Sequence, residues 1–335
     1  MVIGSFRSRA WRSRDDTRAM QALARARLSR DWPAARIHPG DLDWWVVQTY
    51  GRAPGMTERV RLWLGPDDEL VAFAWFSPPA DLDFLVGPDE PPAVVALVAE
   101  ILDWAEIRHG ALGGAATATA GAGAATAFGG AAPAQLRAWV AASDQAAMGG
   151  LDALGLGPEA RPGLVQFTGD LTVADAWPAT RLPPGLALRA LSSEPDIEAR
   201  VICGRAAFPA STMTAERYRT VRRAWLYRAD LDLQLVAADG RVVAFALGWF
   251  DPMSGVVELE PVGVHPEWHR RGLGGHICRA VLRTARTLGA RRAMVAAERT
   301  NDAALALYAS LGLAITTDIV AFTRPIMEQP AITVG

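Results

Sequence analysis

The sequence contains no lysine, and all 34 of its basic residues are arginine. We interpret this as a GC-rich coding bias. With 36 acidic residues the net charge is only −2, which gives no general argument for binding nucleic acid or an anionic membrane. Cysteine is scarce too. Cys203 and Cys278 offer neither a disulfide framework nor the spacing of metal ligands, which favours a protein of the reducing cytoplasm.

Long apolar runs are also missing. Residues 1–14 are rich in arginine but lack the apolar segment of a secretory signal. No apolar stretch approaches the roughly 18–20 residues of a membrane helix. We therefore expect a soluble cytoplasmic protein with no membrane partner. The 335 residues are 50% hydrophobic and include 12 tryptophans, enough for a sizeable core and for two domains.

Composition marks two boundaries along the chain. Residues 110–134 are almost entirely Gly, Ala and Thr, which predicts a mobile loop. Proline is dense between Trp177 and Gly185, which predicts a linker. We therefore divide the chain into domains at residues 1–176 and 177–335.

The two halves look like copies of one unit. Three segments recur in the same order: Val71–Ala74 as Val243–Ala246, Val86–Glu90 as Val264–Trp268, and Asp144–Gly155 as Asn301–Gly312. Each match is weak alone. Together they indicate an internal duplication.

A short loop rich in arginine and glycine, residues 269–275, separates a predicted strand from an amphipathic helix. Glycine lets the main chain approach a ligand, and the helix N-terminus favours a pyrophosphate. The spacing is not G-x-G-x-x-G, because Ile277 stands where the third glycine belongs, and the lysine of a P-loop is missing. The alternatives are an ordinary glycine-rich turn or another nucleotide loop. His269 is either a phosphate ligand or an exposed loop residue.

The positions at which the two copies differ are informative. In the first half the corresponding loop carries Pro91 and Pro92, and proline has no N–H to offer a phosphate. Leu151 stands where the second half has Tyr308. The first change removes backbone N–H donors and the second removes a hydroxyl group, so the first copy looks degenerate.

Hydrophobic periodicity predicts the elements of the second half. Strands are expected at 186–189, 231–237, 241–249, 256–264, 293–297 and 315–322, and helices at 194–207, 214–224, 272–288 and 302–310. This order, with His269-Arg-Arg-Gly272-Leu-Gly274 at the strand–helix junction, resembles the GNAT N-acetyltransferase superfamily. The family pattern begins with Gln or Arg, so His269 is a departure.

The resemblance covers residues 185–325 well and residues 15–172 faintly, as in a tandem GNAT protein with a degenerate first copy. It implies an α/β (α+β) fold of two GNAT-like domains, each a mixed, mostly antiparallel twisted sheet flanked by helices. It also implies acetyl-CoA as acyl donor and no metal. The cofactor-binding positions would be Val262, Gly263, Val264, His269, Arg270, Arg271, Gly272, Leu273, Gly274, Gly275 and Asn301. For Asn301 a plain N-cap is the alternative.

Two glutamates lie two residues apart on one predicted strand, hence on one face unless a bulge intervenes. Amine acetylation requires a neutral nucleophile, and neighbouring carboxylates raise one pKa toward neutrality. Glu260 is our first choice as general base, with Glu258 second. The resemblance assigns Tyr308 as the acid that protonates the CoA thiolate. A solvated strand face and a core tyrosine are the alternatives.

We therefore expect an acetyl-CoA-dependent N-acetyltransferase that acts on a small-molecule or peptide amine by direct transfer in a ternary complex, as a monomer or homodimer, without nucleic acid. One alternative is a CoA-binding pseudoenzyme or regulatory scaffold. Another changes only the acceptor, to the small-molecule amine of mycothiol-synthase-like tandem proteins. The resemblance places Phe208, Ser211, Thr212 and Tyr218 beside the acceptor, whereas Trp44-Trp45 and Trp249-Phe250 are interpreted as core aromatics.

Overall fold

A computed structural model describes residues 6–112, 135–160, 163–173 and 181–325 of the chain. The first half contains β1 (Arg7–Ala10), α1 (Arg14–Asp31), α2 (Pro39–Thr49), α3 (Met56–Arg59), β2 (Val60–Leu64), β3 (Leu70–Ser77), β4 (Asp81–Val86), α4 (Pro91–Leu112), β5 (Gln135–Ala141), α5 (Gln145–Ala153), β6 (Gly157–Pro158) and β7 (Leu164–Asp170).

The second half repeats this order. It contains β8 (Leu186–Ala190), α6 (Glu194–Ala207), α7 (Ala215–Val221), β9 (Asp232–Ala237), β10 (Val242–Asp251), β11 (Val256–Val264), α8 (Leu273–Thr287), β12 (Arg292–Glu298), α9 (Asp302–Ser310) and β13 (Ala314–Pro325). The three sequence repeats fall on equivalent elements: β3 and β10, the ends of β4 and β11, and α5 and α9.

All the predicted elements of the second half are present, with end shifts of a few residues. The helix predicted at 214–224 is shorter, because Thr214 is its N-cap and α7 ends at Val221. Residues 110–112 belong to α4, so the loop predicted from residue 110 begins too early. The rest of that loop, and the proposed division at residue 177, lie outside the described residues.

The strands form one continuous sheet in the order β1-β2-β3-β4-β5-β13-β7-β12-β11-β10-β9-β8, with β6 paired to β13. The two copies exchange their closing strands. The last strand of the first copy, β7, pairs with β12 of the second, and β13 of the second copy pairs with β5 of the first. The exchange joins the two sheets through backbone hydrogen bonds, so each copy completes the other.

Helices cover both faces of the sheet. On α8, Ile277, Val281, Leu282 and Ala285 are buried in the main core of the second copy. Helices α1 and α2 of the first copy pack over β10: Trp44 lies 6.4 Å from Trp249, and the Arg25 guanidinium binds the buried Asp251 carboxylate at 2.8 Å. Among the described residues, every helix is too short or too polar to cross a lipid bilayer.

Candidate active site

The loop before α8 presents free amides to a cavity. Arg270 and Gly272 adopt positive φ, 58° and 72°, and Gly272 caps α8. Within the described part of the chain, the N–H groups of residues 270–275 find no acceptor; the first helical bond is His276 N–H to Gly272 O at 3.2 Å. Six consecutive unpaired amides at a helix N-terminus suit a pyrophosphate.

The strand that leads into this loop separates from its parallel neighbour. β11 pairs with β12 only at Val256, Val257 and Glu258, then diverges. Its register with β10 shifts opposite Ala246 and Gly248, which places a bulge at Glu260-Pro261. The backbone beyond Leu259 is therefore free on its β12 edge, as expected for a strand that pairs with the amide-bearing arm of CoA.

Three carboxyl groups meet at the bulge. Glu258, Glu260 and Asp41 each place an oxygen within 4.8 Å of the other two. Asp41 comes from α2 of the first copy, and it is 8% exposed. Glu258 is buried at 3% exposure and its Oε2 has no hydrogen-bond partner among the described residues, whereas Glu260 is half-buried and lines the cavity.

Burial raises the pKa of all three groups, and repulsion from neighbouring carboxylates adds to the rise at Glu258 and Glu260. Burial, then the charges of Asp41 and Glu260, raises the pKa of Glu258 well above its usual value. Burial and Asp41 do the same to the pKa of Glu260. Burial raises the pKa of Asp41 to about 6, although the His38 amide donates to its Oδ2 at 2.8 Å. Three carboxylate oxygens this close could also hold a divalent cation in geometric terms. No further ligand of the described chain joins them.

His38 orients this cluster without adding charge. Its Nδ1 accepts the Gly40 N–H at 2.9 Å, which leaves Nε2 to donate to Val256 O at 3.3 Å. Burial lowers the pKa of His38 to about 4. The 3.5 Å contact between Nδ1 and Glu258 is therefore not an ion pair at neutral pH. Gly40 lets α2 approach, since a Cβ there would lie 2.4 Å from the Cβ of Trp249.

Tyr308 lines the same cavity as the carboxyl groups. It is 6% exposed and packs its ring edge-on against Phe167 of the exchanged strand β7 at 5.6 Å. Burial, with smaller contributions from Cys278 and Glu260, raises its pKa well above the usual value for tyrosine. A neutral phenol at working pH is the form that can donate a proton.

The loop, the carboxyl cluster and Tyr308 open into one cavity of about 800 Å³. Residues of both copies line it, including Trp44, Trp45, Trp75 and Arg52 of the first. The cavity is therefore built between the copies, and the first copy supplies much of the wall opposite the loop.

Comparison with known proteins agrees with this geometry. Residues 203–313 match the model of the acetyltransferase (GNAT) family. A mycothiol acetyltransferase from Saccharomonospora viridis is 31% identical over 155 residues, which cover 43% of this chain and 51% of that protein. The chain thus aligns with about half the length of this curated relative.

The second half of the chain therefore matches the GNAT family. Two solved structures show the fold over nearly its whole length. A GCN5-related N-acetyltransferase from Sphaerobacter thermophilus has a TM-score of 0.62 and 21% identity, covering 97% of both chains. A tandem GNAT protein from the clavulanic acid biosynthesis pathway has a TM-score of 0.63 and 16% identity, covering 97% of this chain and 100% of that one.

The first GNAT copy retains the fold but not the site. Its equivalent helix α4 begins at Pro91, and the next residue is also proline, so these positions have no amide to donate. Leu151 fills the position of Tyr308 and is fully buried. The carboxylates of β4 are neutralised: Asp81 binds Arg137 at 2.8 Å and Asp83 binds Arg36 at 2.6 Å.

Most residues that the sequence singled out meet at the cavity of the second GNAT copy. Its lining includes Glu258, Glu260, Tyr308, Val262, Gly263, Val264, His269, Arg270, Gly272, Leu273, Gly274, Gly275 and Asn301. Arg271 lies outside the lining, with its guanidinium 4.6 Å above the Trp268 ring. Asn301 caps α9 through the Ala304 amide at 3.0 Å, and His269 binds Val264 O at 3.0 Å.

For the acceptor side, the sequence reasoning was incomplete. Phe208, Ser211 and Tyr218 line the cavity, but Thr212 does not. Trp44 is buried as a core aromatic yet also forms part of the cavity wall. Asp41 was missed entirely. The sequence pattern that could have indicated it is in α2, where Asp41 precedes Trp44 and Trp45 on one helix face. Only the packing of the two copies brings that face to Glu258.

Proposed function

We propose that the second GNAT domain transfers an acetyl group from acetyl-CoA to a primary amine, directly in a ternary complex. The observation that carries this proposal is that six unpaired amides at the start of α8 and a half-buried carboxyl cluster open into the same cavity. A donor held by the loop and along β11 would present its thioester near the cluster.

In this proposal Glu260 is the general base, because of the three carboxyl groups it is the one left half-exposed toward the cavity. It removes the proton from the acceptor ammonium, which arrives in the charged form at neutral pH. Burial and Asp41 raise its pKa toward the working pH, where a base is most effective. Asp41, whose pKa is about 6, is ionised at neutral pH and attracts the cationic amine electrostatically.

Groups around the thioester protonate the leaving sulfur and polarise the carbonyl. The new N–C bond forms as the C–S bond breaks, and Tyr308 donates its phenolic proton to the departing sulfur. The nitrogen then loses its second proton, and this proton restores the Tyr308 phenol. Unpaired backbone amides of β11 beyond Leu259 polarise the thioester carbonyl. Acetyl-CoA supplies the activated acyl group, and the protein supplies alignment and proton transfer.

A small-molecule amine is the favoured acceptor class, since the curated relative is a mycothiol acetyltransferase. A peptide amine is the second candidate, because the cavity is long and has an aromatic wall. The alternative of a CoA-binding scaffold predicts binding without turnover. We place the protein in the cytoplasm, where its two buried free cysteines stay reduced.

The test is thiol release from acetyl-CoA with a panel of small-molecule and peptide amines, together with calorimetry of acetyl-CoA binding. We expect binding and acceptor-dependent release. Binding without release for any amine would favour the scaffold, and no binding would overturn the proposal.

A further inference from the structure

One face of α2 forms part of the cavity wall. The cavity is lined by five residues of this helix, Asp41, Trp44, Trp45, Gln48 and Thr49, and by Arg52, which lies three residues beyond the helix end. The spacing of the five helical residues places them on one side of α2. The wall therefore runs from a carboxylate over two indoles to a guanidinium just beyond the helix.

The arginine end of this wall is not neutralised by the protein. Arg52 and Arg59 both line the cavity, and among the described residues neither has a carboxylate within ion-pair distance. Arg52 donates to the Thr212 hydroxyl, and Arg59 Nε donates to Pro54 O at 2.8 Å. Glu58 attracts Arg59 only from a greater distance, since its Oε2 accepts the Gly55 N–H at 2.7 Å.

Two other arginines of the cavity wall have partners within the protein. Arg36 binds Asp83 at 2.6 Å. The buried Arg200 places its guanidinium 3.2 Å from the centre of the Phe245 ring, and its charge opposes the rise that burial causes in the pKa of Asp232. For Arg59, burial first and then the charge of Arg52 lower the pKa to about 10. An anionic ligand would relieve this uncompensated pair, because arginine binds carboxylate or phosphate in a two-pronged geometry.

The distance between the two charged ends sets a length for the ligand. Asp41 and Arg52 are eleven residues apart along α2 and its C-terminal extension. The helical part, Asp41 to Thr49, spans about 12 Å at 1.5 Å per residue, and Arg52 follows beyond the helix end, so a ligand that bridges the two charged ends has a length on the order of 10 Å. Between the ends, Trp44, Trp45 and Trp75 present aromatic surface.

We propose that the acceptor is an elongated zwitterion, with its primary amine at Asp41, Glu258 and Glu260, an apolar or aromatic body on the tryptophans, and an anionic group on Arg52 and Arg59. This inference rests on the proposed acetyltransferase function and adds the substrate class. The first GNAT copy, which has lost its own cofactor loop, would then be the acceptor-recognition domain of the second.

The test compares matched acceptors with the full chain: the tripeptide Gly-Phe-Phe as free acid and as C-terminal amide, and a long-chain aminoalkyl phosphate beside the matching amino alcohol. An extended tripeptide spans about 10 Å, within the required length. We expect kcat/KM for the anionic member of at least one pair to exceed that of its neutral partner by about tenfold, mainly through KM. The pair that shows it distinguishes carboxylate from phosphate.

The Arg52→Ala/Arg59→Ala double variant should abolish this preference by raising KM for the anionic acceptor, while the neutral acceptor and kcat change less than about twofold. Arg189→Ala, on the exposed strand β8 and outside the cavity, is the matched control. Thermal unfolding of the variants would show whether the fold is retained.

Calorimetry of the tripeptide acid and amide in the presence of CoA separates the two proposals. If no amine is acetylated but the acid binds and the double variant loses that binding, the acetyltransferase function fails and the anion site stands. If amines are acetylated with no preference for an anionic acceptor, and the double variant changes nothing, the zwitterion proposal is overturned and the function stands.

Discussion

Asp81 and Glu258 occupy equivalent positions in the two GNAT copies but have opposite surroundings. Asp81 lies opposite Arg137 in the parallel pair β4–β5, and Glu258 lies opposite Met294 in the parallel pair β11–β12. Arg137 forms an ion pair with Asp81, although burial still raises the pKa of Asp81 to about 6. Burial, then the charges of Asp41 and Glu260, raises the pKa of Glu258 well above its usual value. The arginine of the first copy gives this carboxyl group a cationic partner across the parallel strand pair, and the methionine of the second copy does not.

The same comparison shows where the intact copy has an extra residue. Four residues lie between Asp81 and Val86, whereas five lie between Glu258 and Val264, the counterpart of Val86. β4 pairs with β3 without a register shift, and β11 carries the bulge at Glu260-Pro261. A bulge redirects a side chain. Both glutamates line the cavity, but Glu260 at the bulge is half-buried whereas Glu258 is 3% exposed.

Glu260→Gln should lower kcat by roughly 10²–10⁴-fold while acetyl-CoA binding is kept, because it removes the proposed base without changing the loop amides. Steady-state thiol release and calorimetry measure the two effects. The matched control is Asp81→Asn in the first copy, which should cost stability but change kcat less than about threefold. Equal losses in both variants would contradict the assigned role.

Asp41→Asn should shift the acidic limb of the kcat/KM profile to lower pH. Asp41 raises the pKa of Glu260, so its neutral analogue lets Glu260 ionise at lower pH. Profiles between pH 5 and pH 9 would show the displacement. Asp43→Asn is the control, since Asp43 accepts the Leu226 amide at 2.9 Å and does not line the cavity. If the acidic limb of the kcat/KM profile stayed at the same pH in Asp41→Asn, Asp41 would not affect the pKa of the general base.

Glu258→Gln should flatten the dependence of stability on pH. An acid whose pKa is raised by folding binds its proton more tightly in the folded state, so the free energy of unfolding falls as pH rises from its unfolded pKa through its folded pKa. Urea unfolding at pH 7.5 and pH 9 lies above the window of His38, which runs from its folded pKa of about 4 to its ordinary value of 6.5. The wild-type protein should lose stability between these pH values, and the variant should lose less. A steeper fall in the variant would contradict the raised pKa.

Tyr308→Phe should lower kcat about tenfold or more and leave the KM for acetyl-CoA within about twofold, because the phenol acts on the leaving sulfur. The ring contact with Phe167 is retained, so stability should change little. Tyr227→Phe is a control outside the cavity; it removes a hydrogen bond to Asp232 at 3.0 Å. An unchanged kcat in Tyr308→Phe would support the interpretation of a core tyrosine.

Gly272→Ala should weaken acetyl-CoA binding as well as stability. Gly272 has φ of 72°, and a non-glycine residue there costs about 1–2 kcal/mol of strain. Gly185→Ala is matched, since Gly185 has φ of 80° in an exposed turn with open space around it. Both variants should lose similar stability by urea unfolding, and only Gly272→Ala should lose acetyl-CoA affinity by calorimetry. Equal affinities would mean that the loop amides do not hold the cofactor.

The sequence alone determined the duplicated unit, the order of its elements, the single intact loop and the roles expected of Glu260 and Tyr308. Local patterns carry these features: apolar periodicity, glycine and proline at one turn, and a repeat that fails at identifiable positions. Asp144 and Asn301 show how local they are, since both cap equivalent helices, through the amides of Ala147 and Ala304.

Only the tertiary structure decided which parts of the two copies meet. The exchange of β7 and β13, the approach of α2 through Gly40, and the joining of Asp41 to Glu258 all connect residues distant in sequence. No local pattern encodes such contacts, because they depend on how two separately patterned units pack. That packing turns two strand glutamates into a three-carboxyl cluster and gives a degenerate copy a wall of the active site.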